Sequence, residues 1–205
     1  MADLFNEKSQ DWDTREVVQT LSSAVGSAIL KNVPLDEQMH VMDFGAGTGL
    51  ISSQVVHFVK KIVAVDTSES MLNKLVKKPE LEHKVTTVCQ DILDKGLTEK
   101  FDLIMSAMAM HHVEDTEKLF QRFAKQLNPG GLVALADLDK EDGSFHAEGT
   151  EGIFHFGFER NDLQSIMEKY GFREIRFETV HTINKEEMYY PVFLVIATYL
   201  SNLNG

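Results

Sequence analysis

Apolar residues recur along the chain with two alternating periods. Val17, Val18, Leu21, Ala24, Val25, Ala28 and Ile29 return every three or four positions, which predicts a helix that stops before Pro34. His40 to Phe44 is a short apolar run followed by glycines, after which Leu50, Ile51, Gln54, Val55 and Phe58 resume helical spacing. This is strand, turn, helix. The same sequence of elements returns with a strand from Lys61 to Asp66, a helix carrying Met71, Leu72 and Leu75 behind a Ser68 cap, and a stop at Pro79. Further strands are predicted over Lys84 to Cys89, Phe101 to Ser106 and Leu132 to Ala136. Asp115 or Thr116 caps a helix that bears Leu119, Phe120, Phe123, Ala124 and Leu127, and Asn128-Pro129-Gly130-Gly131 ends it. Leu132 to Ala136 is apolar on both faces, as in a parallel sheet covered by helices on both sides.

From Asp137 to Phe158 periodicity fails, and a loop of that length in a compact protein is usually functional, so this stretch is expected to be a lid. Leu163, Ile166, Met167 and Tyr170 then mark a helix ended by Gly171. Phe172 to His181 and Pro191 to Leu200 read as two strands joined by a polar connector, a closing hairpin. The expected class is α/β, doubly wound, with helices on both faces. No repeat or linker divides the chain, so one domain is expected over residues 1–205. It comprises an N-terminal cover segment and helix (1–36), a cofactor-binding core (37–137), the lid (138–158) and a C-terminal helix with hairpin (159–205).

Composition narrows the partners. A net charge of −12 leaves little material for a basic stripe along phosphates, so nucleic acid is an unexpected partner. The longest apolar run, Pro191 to Leu200, is too short to cross a bilayer. The lone Cys89 cannot form an intrachain disulfide, and the polar opening lacks the form of a secretory signal. A soluble, cytoplasmic monomer or homodimer is expected.

The chemistry concentrates in Asp43-Phe44-Gly45-Ala46-Gly47-Thr48-Gly49, where a strand hands over to a helix. Glycines permit the sharp turn and a close approach by a ligand. A dinucleotide fingerprint would need a further glycine at Leu50. Asp66 ends the second strand, 21 positions after Gly45, where βαβ folds place a ribose-binding carboxylate. Asp43 would repel a diphosphate and favour the ammonium of an amino-acid moiety. His111 and His112 follow the fourth strand, at the end of the sheet where α/β ligands bind, and either one is a candidate proton acceptor. The lid adds His146 and His155. The spacing of these four histidines matches no standard zinc pattern, so no metal is expected.

Taken together these segments resemble the class I S-adenosylmethionine-dependent methyltransferases over nearly the whole chain. The glycine run is similar to that family's first motif, Asp66 to its ribose-binding acid, and Gln90-Asp91-Ile92 to its adenine-binding segment. Phe101 to Ile104 with His111-His112-Val113 is similar to its fourth strand and following loop, and Leu127 to Gly131 to the turn before its fifth strand. Phe5 to Asp13 resembles the cover segment of small-molecule members.

The resemblance implies a Rossmann-like seven-stranded sheet, mostly parallel, with an antiparallel last strand. It implies S-adenosyl-L-methionine as cofactor, with S-adenosyl-L-homocysteine as product, held by Asp43, Gly45, Ala46, Gly47, Thr48, Asp66, Thr67, Met71, Asp91, Ile92 and Ala107. A small-molecule methyl acceptor is expected against Met108, His112, His146 and His155, with His111 or His112 in the catalytic role. The alternatives are a nicotinamide-dependent oxidoreductase and a non-catalytic S-adenosylmethionine-binding protein.

Overall fold

A computed structural model describes residues 3, 5–185 and 187–201; residues 1–2, 4, 186 and 202–205, which fall in the expected cover segment and hairpin, lie outside the described residues. Helix α1 (Glu16–Asn32) leads into strand β1 (His40–Phe44). Helix α2 (Leu50–Val55), strand β2 (Lys61–Asp66), helix α3 (Glu69–Leu75), strand β3 (Val85–Cys89) and strand β4 (Phe101–Ala107) follow. Helix α4 (Thr116–Gln126), strand β5 (Leu127–Leu138), helix α5 (Arg160–Lys169) and the strands β6 (Phe172–Lys185) and β7 (Met188–Tyr199) complete the order.

The strands form one seven-stranded sheet in the order β3-β2-β1-β4-β5-β7-β6. Strands β1 to β5 pair in parallel, whereas β7 runs antiparallel to both β5 and β6, so β7 is the reversed strand. The order turns back between β1 and β4. In open α/β sheets the crevice at the carboxyl ends of such strands is where ligands bind.

Alternation along the strands splits the core in two. Val41, Ile62, Ala64, Leu103 and Met105 face α1 to α3, where Leu21, Val25, Ile29, Val55, Leu72 and Leu75 meet them. Met42, Val63, Ile104, Val133 and Phe193 face α4 and α5, against Leu119, Phe120, Phe123, Leu163 and Met167. Burying each large side chain of this kind stabilises the fold by roughly 1.5–3 kcal/mol. Caps fix the helix starts: Ser68 Oγ accepts the Met71 N–H at 3.2 Å and Asp115 Oδ1 accepts the Lys118 N–H at 2.8 Å. No helix among the described residues is long and apolar enough to cross a membrane.

The start of β5 and the extent of the closing hairpin differ most from the sequence expectation. Strand β5 begins at Leu127, not Leu132, because Leu127 pairs with Phe101 before the register shifts. The Asn128 side-chain amide then donates to Asp102 at 2.7 Å, and the Asn-Pro-Gly-Gly turn becomes a kink within the strand. The two strands of the closing hairpin also extend into the expected polar connector, to Lys185 and from Met188. Pairing continues through Ile183 with Tyr190 and Lys185 with Met188, since Ile183 and Tyr190 are buried while Asn184, Lys185, Met188 and Tyr189 meet solvent.

Candidate active site

The glycine turn is bent onto the neighbouring strand. The Gly45 and Ala46 N–H groups both donate to the Val65 carbonyl, at 2.9 and 3.1 Å, and the Gly49 N–H donates to Ala46 O at 2.8 Å. Gly45, Gly47 and Gly49 have φ of +66°, +54° and +79°, a left-handed conformation that suits glycine. A β-carbon on Gly45 would stand 2.2 Å from that of Ala109, whereas one on Gly47 would meet nothing within 4 Å. Gly45 is therefore required by packing, and Gly47 opens onto free space.

Two carboxylates flank this turn. Asp43 is 1% exposed, and its Oδ2 accepts the Ser52 hydroxyl at 2.6 Å; burial, with Asp66 nearby, pushes its pKa up to about 7. Asp66 accepts the Gly47 N–H at 2.7 Å on one oxygen and the Ser68 N–H at 2.8 Å on the other. Burial raises its pKa as well, against the opposing pull of those hydrogen bonds.

The other residues expected at the cofactor site gather around the same end of the sheet. Thr48 is buried and its hydroxyl donates to Asp13 of the N-terminal segment, which also pairs with Lys78 at 2.8 Å. Met71 and Ile92 are buried, Thr67 is exposed, and Asp91 is exposed with Oδ1 accepting the Leu93 N–H at 2.7 Å. Ala107 ends β4, and Met108 beyond it has φ +57° with its N–H bonded to Ala136 O at 2.8 Å. A non-glycine residue in that conformation is a strained position of a kind that clusters at functional sites.

Three of the four candidate histidines converge. The rings of His111 and His112 lie 4.2 Å apart, and that of His146 lies 5.2 Å from His111 and 6.4 Å from His112. The Nδ1 of His112 is 2.7 Å from the Gly152 carbonyl of the lid; a carbonyl only accepts, so Nδ1 carries the hydrogen and Nε2 the lone pair. Burial and the neighbouring His111 depress the His112 pKa to about 4, and burial with His111 does the same for His146. His146 Nε2 is buried without a partner among the described residues. His155 stands apart: its Nε2–H donates to Val113 O at 2.9 Å and its ring packs on Phe158, which fastens the lid rather than joining the cluster.

The lid and the N-terminal segment both close on this cluster. Phe154 and His155 donate their N–H groups to the His111 carbonyl at 3.0 and 3.2 Å, Phe145 packs edge-on against His146, and Phe5 packs edge-on against His112. Of the remaining lid aromatics, Phe158 is buried in the α4/α5 core, while Phe154 and Phe156 are exposed. Among the described residues no group of three or more His, Cys, Asp or Glu side chains is arranged to hold a metal ion.

Sequence reasoning missed Asp137. Its carboxylate is wholly buried at the end of β5, with Oδ1 2.7 Å from His111 Nδ1. The available signal was a single acid within the apolar run Leu132 to Leu138. Ser52 and Asp13 also escaped, because a helix serine and a surface aspartate carry no motif.

A doubly wound sheet with a reversed seventh strand, and a glycine turn set between two carboxylates at its switch point, is the fold of the class I methyltransferases. The chain belongs to the methyltransferase-domain family, whose model matches residues 17–176. An uncharacterized methyltransferase of Schizosaccharomyces pombe is 31% identical over 137 residues, a match covering 58% of this chain and 48% of that protein.

Among solved structures, the Haemonchus contortus phosphoethanolamine N-methyltransferase 2 in complex with phosphomonomethylethanolamine and S-adenosylhomocysteine superposes with a TM-score of 0.72 at 17% identity. That match covers 97% of this chain and 59% of the nematode chain. The N-methyltransferase NodS from Bradyrhizobium japonicum in complex with S-adenosylhomocysteine gives 0.72 at 15% identity, covering 96% and 94%. At these identities the likeness to the two structures is one of fold. The chain spans about half the length of the fission-yeast relative and three fifths of the nematode enzyme.

Proposed function

We propose that the chain transfers a methyl group from S-adenosylmethionine to a small-molecule acceptor held between the β4 loop and the lid. The observation that carries this reading is the enclosure of the histidine cluster from two sides. Phe5 covers His112 from the N-terminal segment, and the lid reaches the same imidazole through Gly152 and packs Phe145 beside His146. A small acceptor fits behind such a double cover far better than a folded macromolecule, and the net charge of −12 opposes a nucleic acid.

The residues at the glycine turn suit the methyl donor. Asp43 offers a carboxylate to its ammonium, the open face of Gly47 admits its backbone, and Asp66 suits its ribose hydroxyls. Asp91, Ile92, Met71 and Thr67 suit its adenine side, Ala46, Thr48 and Ala107 complete the walls, and Met108 stands on the acceptor side. When bound, its sulfonium supplies a methyl carbon already activated toward displacement. This chain's own task is to orient the acceptor in line with that carbon and to exclude water, which the lid and the cover segment perform. His111, His112 and His146 offer polar contacts to the acceptor, and His155 contributes only by holding the lid.

Incubation with S-adenosylmethionine labelled in the methyl group, together with a fractionated cell extract, tests the reading. Label is expected in the metabolite-sized fraction. Label confined to protein or nucleic acid would contradict a small-molecule acceptor.

A further inference from the structure

We infer that Asp137 and His111 form a proton-accepting pair, so that the acceptor atom is a hydroxyl oxygen or an amine nitrogen that gives up a proton as it is methylated. This rests on the methyltransferase reading above and narrows it to an acceptor class. Two backbone N–H groups donate to the Asp137 carboxylate, that of His111 at 3.2 Å and that of Leu138 at 2.8 Å, and His111 Nδ1 lies 2.7 Å from it. A carboxylate so surrounded acts as acceptor, which makes Nδ1 the donor and leaves the lone pair of His111 on Nε2. No protein partner for that Nε2 occurs among the described residues.

Asp137 is 0% exposed and His111 2%, so the pair is rigid and shielded, and a positive charge on the imidazole would be met by the carboxylate behind it. The adjoining rings lack such a partner. His112 is tied to a neutral carbonyl and His146 has no partner for Nε2, so both act as neutral contacts while His111 takes the proton.

The lone pair of the acceptor oxygen or nitrogen forms a bond to the methyl carbon, the carbon–sulfur bond breaks with its electron pair going to sulfur, and the acceptor's proton passes to His111 Nε2. The imidazolium, paired with Asp137, later releases that proton to water. Asp137 touches no reactant and is a positioning residue. The groups facing His111 are Asp137 from β5, His112 from the β4 loop and His146 from the lid, with Lys8 of the N-terminal segment acting on His146.

The test uses the full chain in three forms: unaltered, Asp137→Asn and His111→Gln. Binding of S-adenosylhomocysteine is measured by calorimetry, and methyl transfer is measured on a panel holding a catechol, a primary amine, a thioether and a tertiary amine. Expected are turnover of the catechol or the primary amine alone and an unchanged S-adenosylhomocysteine affinity in all three forms. The kcat falls about a hundredfold in both variants, as for loss of a general base, and the decline of rate toward acid pH is altered in Asp137→Asn. Methylation of the thioether or tertiary amine, or an Asp137→Asn enzyme with the original rate and pH profile, would overturn the pair.

Nitrogen-15 spectra of the histidines in unaltered protein keep the idea testable if a variant fails to fold, since His111 protonated on Nε2 rather than Nδ1 in the neutral form contradicts it. Bound S-adenosylhomocysteine with no panel member methylated also counts against the acceptor class. Absence of S-adenosyl binding counts instead against the reading on which it rests.

Discussion

The carboxylate of Asp43 accepts the Ser52 hydroxyl at 2.6 Å where almost no solvent reaches, directly beneath the glycine turn. Burial favours the neutral acid, and its pKa of about 7 lies well above the roughly 3.9 of an unfolded aspartate. The folded state therefore binds a proton more tightly than the unfolded chain. The stability this group contributes is full below about pH 4 and is lost as pH rises through 7, at up to about 1.4 kcal/mol per pH unit. Urea titrations should show that slope in the unaltered protein and a flatter profile in Asp43→Asn.

The same proton couples to the methyl donor. An ammonium beside Asp43 favours the ionised form, so binding of S-adenosylhomocysteine below pH 7 should release a proton and tighten as pH rises, then level off above it. Calorimetry in buffers of different ionisation enthalpy reads the released proton directly. Asp43→Asn should abolish the release and weaken binding about tenfold to a hundredfold.

Gly45 and Gly47 should respond differently to alanine. In Gly45→Ala the new methyl collides with Ala109, so a lowered Tm is expected. In Gly47→Ala the methyl enters open space and costs about 1 kcal/mol for the left-handed backbone, while S-adenosylhomocysteine binding is lost. Equal binding by Gly47→Ala and the unaltered protein would show that no ligand approaches there.

Asp13 ties the N-terminal segment to Thr48 and Lys78. Asp13→Ala should leave global stability within about 1 kcal/mol, because these contacts are partly exposed. Hydrogen exchange over residues 5–15 and the dissociation rate of S-adenosylhomocysteine should both rise. Asp115→Ala provides the contrast: loss of the α4 cap should cost about 1 kcal/mol of stability with no change in ligand affinity.

The sheet was legible because its signals are local. Apolar runs such as Lys61 to Asp66, caps such as Ser68 and the glycine turn each declare themselves within a few residues. The extent of the hairpin was not, since Ile183 and Tyr190 bury against the sheet through pairing that only the tertiary fold creates. At the site, Asp43 and Asp66 were visible from their positions relative to strand ends. Asp137 was not, because its meaning depends on His111, 26 residues away, and His155 was grouped with the other lid histidine although its ring turns toward Phe158.

Calorimetric titration of one protein preparation with S-adenosylhomocysteine and, separately, with nicotinamide adenine dinucleotide tests the central claim most directly. Saturable binding of the first, strongly weakened by Asp66→Ala, and no heat from the second is the predicted result. Binding of the dinucleotide with indifference to S-adenosylhomocysteine would contradict it.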